Sequence, residues 1–415
     1  MRNLNNINNR QARSSILYRG PACLHFIPTD MKQVIHLLFL SVLLLSFAAC
    51  GNDDNNSDDA SQATKTIFMY FPYTGPSSSL YTNFLRNIED AKSGITKEDM
   101  YHHNIIIFIS ESTQKAHLIN LKFSGNKCIS DTVKAYSDLS FTTSDGIASI
   151  LNDVYHYAPA STYAMIIGCH GEGWLPKSKI KKKTTTRFFG GTSSEYQTDI
   201  TTLADAITAT GKKMQFILFD DCYLSCVEVA YDLRNVTDYM IASTSEMMAY
   251  GMPYQLIIPD LLKDTPDYEN VCSKFLSFYN SYSMPYGTLG ITSCTHMDEM
   301  AALMKEINAN HQLDDSLLDE IQDLDVSHWD PTVYFDFGDY VSKLCQNDSA
   351  TLLKFNQLLQ LLEPYKATTS QIYSAQGSET LDVKAYSGLT ISDPSINAEI
   401  ATTKKNTNWW KATHE

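Results

Sequence analysis

Residues 161–174 read STYAMIIGCHGEGW and residues 213–234 read KMQFILFDDCYLSCVEVAYDLR, and the fold is decided by how these two stretches are read. Each opens as a β-rich apolar run and stops at a residue able to do nucleophile–base chemistry, His170 in the first and Cys222 in the second. In open parallel sheets, binding and reacting groups gather just beyond the carboxyl ends of the strands. Two neighbouring strands with these endings place a base beside a thiol, the arrangement that thiol nucleophilic catalysis needs.

Working outward, short β-rich runs alternate with helical stretches from residue 64 on. TKTIFMYFPY, NIIIFISES, DYMIAST and GTLGITSCT read as strands, and KAHLINLKFSGNKCISDTVKAY as a hairpin turning at Gly125-Asn126. SSSLYTNFLRNIEDAKSG, TTSDGIASILNDVYHYA, TDITTLADAITATG, LSCVEVAYDLRN and DEMAALMKEINAN read as helices with polar starts or glycine and proline stops. Continuous apolar strands separated by helices predict an α/β fold, a mainly parallel sheet with helices on both faces. Beyond residue 300 the helical pattern dominates (313–325, 335–346, 350–363), and an extended pair, TLDVKAYSGLTIS, closes the chain. The expected division is a main α/β domain over 64–300 and a smaller, mostly helical region over 301–415 with a terminal hairpin.

With 415 residues, 43% of them hydrophobic, the chain can bury a large core. Lys and Arg number 32 against 47 Asp and Glu, a net charge of -15. That balance argues against nucleic acid as a partner, and the basic run KSKIKKKTTTR (177–187) is too local to reverse it. From Met31 the chain reads MKQVIHLLFLSVLLLSFAAC, a charged, then apolar, then small-residue order that marks a signal peptide rather than a span. Ending at Ala48-Ala49-Cys50, it resembles a bacterial lipoprotein signal, with Met31 as the start and residues 1–50 as leader. The resemblance implies lipidation at Cys50 and anchoring in the cell envelope, at the outer membrane. A buried helix or uncleaved anchor is the alternative. Residues 51–63 carry too little apolar surface to order and read as an acidic flexible tether. Acidic residues in that place resemble surface-export signals of Bacteroidetes lipoproteins.

Of nine cysteines, Cys23 and Cys50 fall in the leader. The other seven have no regular spacing and are not a disulfide framework. Cys169 and Cys226 lie in apolar contexts as small core residues. No zinc-site spacing appears, so no metal ligands and no required cofactor are assigned. Cys222 stands at a strand-to-helix junction, where a helix N-terminus favours a thiolate; a buried structural cysteine is the plain alternative. After His170, Gly171 and Gly173 allow close backbone approach. The amides of Gly171 and Cys222 are then the two candidate donors of an oxyanion hole.

The stretches IIGCHGEGW, ILFDDCYLSCVEVAYDLRNVTDYMIASTSE and YGMPY together resemble the clostripain family of cysteine endopeptidases, which has a caspase-like fold. FDFGDY (335–340) and YSGLTI (386–391) are fainter echoes. The resemblance implies that His170 is the base, Cys222 the nucleophile and Asp220 the carboxylate of the primary specificity pocket, selecting Arg or Lys before the scissile bond. Asp220 as a cap of the next helix is the alternative. Glu246 is a further candidate for lining the acidic pocket. Asp221 departs from the small residue usual in the family; facing the thiol it would raise the cysteine pKa, whereas strand alternation points it away. Family members are often activated by cleavage in the region of 177–187, which makes Lys181, Lys182, Lys183 and Arg187 candidate self-cleavage points, against a plain solvated loop. Some relatives use calcium, though no EF-hand type of ligand loop is present. Two functions follow: an endopeptidase acting on proteins or peptides, or a non-catalytic surface lipoprotein of the same fold that binds peptide or glycan. A thiol-dependent amidase of another type is a third.

Overall fold

In a computed structural model the described residues are 63–76, 80–137, 140–176, 189–375 and 377–415. The leader, Cys50, the tether up to residue 62, and Lys181, Lys182, Lys183 and Arg187 lie outside them.

The strand Ala63–Phe71 shows how one sheet serves two cores. Its Ile67, Met69 and Phe71 join one buried cluster, while Phe68 and Tyr70 join another, because successive strand side chains point to opposite faces. Helices Tyr81–Gly94, Tyr254–Leu262 and Tyr268–Ser281 cover the first face. Helices Ser144–Tyr157, Ile200–Ala209, Val227–Leu233 and Met297–Asn310 cover the second. An apolar stripe lets most of these helices bury one side and wet the other, whereas Val227–Leu233 is buried at six of its seven residues. Ser144–Tyr157 starts where its reading placed it, since the Thr143 hydroxyl accepts the Gly146 N–H at 3.2 Å.

The sheet has nine strands, in the order Tyr365–Thr368, Thr288–Ser293, Thr237–Ala242, Met214–Asp220, Ala160–Gly168, Ala63–Phe71, His103–Ser112, Lys115–Ser124 and Lys127–Tyr136. The five strands from Thr237–Ala242 to His103–Ser112 run parallel, and antiparallel pairings extend both flanks. The expected hairpin turns at Gly125, at φ 62°. No helix among the described residues is long and apolar enough to cross a membrane.

The C-terminal third departs from its reading. Residues 61–415 form one compact unit, and Tyr365–Thr368 completes the central sheet, so the division expected at residue 300 falls inside that unit. Only a 3-10 turn, Asp315–Glu320, forms where a helix was expected over 313–325. Asp314 there accepts the Ser316 N–H, and Asp323 accepts the N–H groups of Asp325 and Val326. Short acidic side chains that bind their own backbone compete with helix formation. Nor do the two halves of TLDVKAYSGLTIS pair with each other. Glu379–Asp382 pairs with Gln371–Ser374, and Thr390–Ile391 with Phe335–Asp336; helices Ile400–Thr403 and Asn408–His414 follow.

That last strand pairing brings FDFGDY and YSGLTI together. The buried Asp336 carboxylate accepts the Ser387 N–H at 2.6 Å, the Ser387 hydroxyl at 2.9 Å and the Asp339 N–H at 2.9 Å. It caps the helix Phe337–Leu344 and fixes the chain on its way to the sheet. Asp336→Ala strands these buried donors, each worth about 1–3 kcal/mol when left unmet. The urea midpoint should therefore fall by an amount equivalent to about 2 kcal/mol or more, and an unchanged midpoint would contradict this account.

Candidate active site

The register between Ala160–Gly168 and Met214–Asp220 sets the site. Tyr163 pairs with Met214, an offset of 51, but an irregularity follows and Met165 pairs with Ile217, an offset of 52 that persists to Gly168 and Asp220. Extended by two residues, that register sets His170 against Cys222. Without the irregularity His170 would align with Asp221, a one-residue slip that exchanges faces.

Asp221 locks the alignment. Its buried carboxylate accepts the Cys169 N–H at 2.5 Å and the Cys169 thiol at 3.3 Å. It therefore braces the neighbouring strand, and among the carboxylates that act on the Cys222 thiol it is the weakest. Cys169, expected to be only a small core residue, is the other half of this brace. Beyond it, His170–Gly171 pairs with Phe189–Gly190, which pairs in turn with Gln197–Thr198. A Cβ at Gly171 would lie 2.5 Å from the Cys222 carbonyl oxygen and 2.8 Å from the Asp221 Cβ. Only glycine lets the His170 segment come this close to the Cys222 turn.

Cys222 is half-buried, and its Sγ accepts the Met247 N–H at 3.2 Å. The helix expected to begin beside it starts later, at Val227, after a turn in which Tyr223 holds φ 61°. A left-handed tyrosine costs roughly 1 kcal/mol or more. Its N–H meets the Ser245 carbonyl at 3.1 Å, and its ring stacks on Tyr334 at 5.3 Å, which holds it there. The thiol thus lacks the expected help of a helix N-terminus. Burial, reinforced by the Glu246, Glu172 and Asp221 carboxylates, pushes its pKa well above the ordinary range against the pull of the Met247 amide.

His170, Cys222, Asp220 and Glu246 all line one cleft of about 400 Å³, with Tyr250 and Tyr373 at its walls. Asp220 forms part of its buried lining. Oδ1 accepts the Met252 N–H at 2.9 Å, and Oδ2 accepts the Tyr254 hydroxyl at 2.8 Å and the Asn87 amide at 3.4 Å. It caps no helix. Burial pushes its carboxyl up to about 6, although Tyr254, Met252 and Arg86 pull the other way. Gly251 lies against it, where a Cβ would sit 2.6 Å from Oδ2.

Glu246 is committed to protein partners. It accepts the Ala375 N–H at 2.9 Å, lies 3.4 Å from the Tyr223 hydroxyl and pairs with His328 at 3.6 Å. Burial alone would raise its pKa, but His328 and the Ala375 amide outweigh it and hold the carboxylate below its ordinary range. Asn87, Tyr254, Tyr223, Glu172 and His328 escaped the sequence reading. Glu172 carried a signal, two places after His170 in HGEGW; His328, 158 positions beyond His170, carried none. Among the described residues no group of three or more His, Cys, Asp or Glu side chains is placed to hold a metal ion.

The profile of the clostripain family matches residues 73–401. A secreted C11 cysteine protease from Bacteroides thetaiotaomicron, "iotapain", is 45% identical over 85% of this chain and 99% of its own, with a TM-score of 0.79. A clostripain from Bacteroides thetaiotaomicron ATCC 29148, in complex with the peptide inhibitor BTN-VLTK-AOMK, is 48% identical over 55% of this chain and 99% of its own, with a TM-score of 0.52. An inactive zymogen C11 protease from Parabacteroides distasonis is 27% identical over 86% of this chain and 99% of its own, with a TM-score of 0.72. No curated protein matches by sequence.

A thiol raised in this way is neutral at rest. Its alkylation by iodoacetamide, followed at Cys222 by mass spectrometry, should still be accelerating at about pH 9, beyond the ordinary thiol midpoint of about 8.5. A plateau reached by pH 7 would show a resting thiolate and overturn the reading of the electrostatics.

Proposed function

The chain belongs to the clostripain family of cysteine proteases, and we propose that it is an endopeptidase that cleaves after a basic residue with Cys222 as nucleophile and His170 as base. The observation that carries this reading is the 52-residue register, which leads both groups into the one cleft that Asp220 lines. The neutral thiol needs its base at the moment of attack. His170 takes the Sγ proton as sulfur adds to the peptide carbonyl, and the amides of Gly171 and Cys222 receive the developing oxyanion. His170 then returns the proton to the leaving amine, and water, activated by the same imidazole, releases the acyl group from sulfur. A non-catalytic binder of peptide or glycan would have no use for a base aligned in this way, and family membership weighs against it.

Asp220 supports selection of a cation, and its bonding supports Lys over Arg. A carboxylate offers about four acceptor sites. Two on Oδ2 and one on Oδ1 are occupied, so no site pair remains for the two-pronged grip that favours guanidinium. An ammonium needs only one, and Asn87 Oδ1, buried in the same cleft without a hydrogen-bond partner among the described residues, supplies a second acceptor. The lysine that ends the VLTK peptide bound to one relative agrees with this. Cleavage after Lys should exceed cleavage after Arg in kcat/KM by about tenfold, roughly one hydrogen bond to a charged group. Because Asp220 must be ionised to hold the cation, kcat/KM should fall as pH drops through about 6. Asp220→Asn should abolish the selectivity for a cationic side chain. Equal turnover of Lys and uncharged substrates by the parent protein would sink the assignment.

The described chain stops at Pro176, two residues after HGEGW, and resumes at Phe189–Gly190, the partner of His170–Gly171. This supports control of His170 by cleavage at Lys181, Lys182, Lys183 or Arg187, as does a relative that is an inactive zymogen. Purified parent protein should separate into two fragments in this window on denaturing gels, and Cys222→Ala should stay whole. A parent that is intact and fully active would refute self-processing. At the other end, Cys50 stands 13 positions before Ala63. A lipid on its sulfur would keep the sheet within about 45 Å of an outer-membrane surface.

A further inference from the structure

His328 reaches the active site from a loop that the mechanism above does not use. Its Nε2 lies 3.2 Å from both Glu172 carboxylate oxygens, and its Nδ1 lies 3.6 Å from Glu246. Its ring packs at 5.1 Å on Tyr223, the residue after the nucleophile. Each partner belongs to a different part of the site. Glu172 follows His170 by two residues. Glu246 precedes Met247, whose N–H donates to the Cys222 sulfur. Glu246 also holds Ala375 at the rim of the cleft, and the Tyr334 hydroxyl, from the same loop as His328, donates to the Glu172 carbonyl. The side chains of His328, Glu172 and Glu246 are all largely buried, so their charges act on one another with little screening.

We propose that His328 is a positioning residue: as a cation shared by Glu172 and Glu246, it joins the His170 segment to the Cys222 segment and offsets the negative charge of both carboxylates beside the nucleophile. Burial alone would strip its proton, but the two carboxylates outweigh burial and carry its pKa up to about 10. The cation is therefore present across the working range of a cysteine protease. The ionisable groups acting on the thiol include the carboxylates of Glu246, Glu172 and Asp221, with the phenols of Tyr223 and Tyr279 nearby and His170 in the same cleft. Those acting with His328 are Glu172, Glu246 and Asp325. Asp221 is spent on Cys169, so the net field at sulfur turns on the Glu172–His328–Glu246 bridge.

The inference rests on Cys222 as the nucleophile, and the test keeps the two apart by measuring iodoacetamide alkylation at Cys222 itself, by mass spectrometry at about pH 8, alongside peptidase activity. His328→Gln leaves two buried carboxylates uncompensated, so alkylation should slow about tenfold. The kcat should fall at least as far, while KM changes less than about threefold, since Asp220 and its partners do not touch His328. Adding Glu246→Gln to His328→Gln should recover most of the alkylation rate. Glu172→Gln removes one carboxylate and keeps the cation, so it should speed alkylation about threefold, a sign that mere loosening of structure does not give. It also serves if His328→Gln fails to fold. Unchanged alkylation in Glu172→Gln, or no recovery in the double variant, would overturn the proposal. Retained peptidase activity in Cys222→Ala would instead overturn the assignment of the nucleophile.

Discussion

The register of Ala160–Gly168 on Met214–Asp220 is the constraint from which the rest follows. Parallel strands hold side chains at fixed height and on fixed faces, so an offset of 52 carries everything beyond Gly168 and Asp220 into matched pairs: Cys169 with Asp221, then His170 with Cys222. The first pair is a buried brace and the second opens on the cleft. The irregularity between Tyr163 and Met165 is what converts an offset of 51 into 52. Once the register is fixed, Gly171 is required, because nothing larger fits between the two segments, and Tyr223 must take its strained turn to leave the strand.

Charge is the second theme. Asp220, Asp221, Glu246 and Glu172 converge on a small volume, and each has its own answer to burial. Asp221 accepts two donors from Cys169. Asp220 takes an amide, a phenol and a carboxamide, with Arg86 near enough to help. Arg86 is itself fixed by the Ala249 and Tyr250 carbonyls, both at 2.9 Å, and by the Tyr250 ring. Glu246 and Glu172 share His328. The cleft therefore keeps the Asp220 carboxylate in its lining, while Glu172 and Glu246 are compensated by His328.

Much of this was legible in the chain. The apolar runs ending in His170 and Cys222 were read as strands and are strands. Helices Tyr254–Leu262 and Tyr268–Ser281 were not read, but Tyr81–Gly94, Ser144–Tyr157, Ile200–Ala209 and Met297–Asn310 fall on the stretches read as helical. These are local signals, set by side-chain periodicity and capping. The reading failed where distant residues compete for the same backbone. The stretch 313–325 looked helical, but its aspartates bind nearby amides instead. TLDVKAYSGLTIS looked like a hairpin, but Asp336, about 50 residues upstream, captures Ser387 and draws the later half away. The helix after Cys222 begins late because the chain first turns through Tyr223 under the Tyr334 ring.

By itself the sequence determined the alternation of strand and helix, the two cores on opposite faces of one sheet, and the residue types available at the strand ends, since each depends on neighbours within a few positions. Tertiary structure alone decided that Asp221 faces Cys169, that Asp220 has a single acceptor site to spare, and that His328 sits between Glu172 and Glu246. Those outcomes depend on groups up to 156 positions apart meeting in largely buried surroundings. There a buried charge must find its partner wherever the fold brings one.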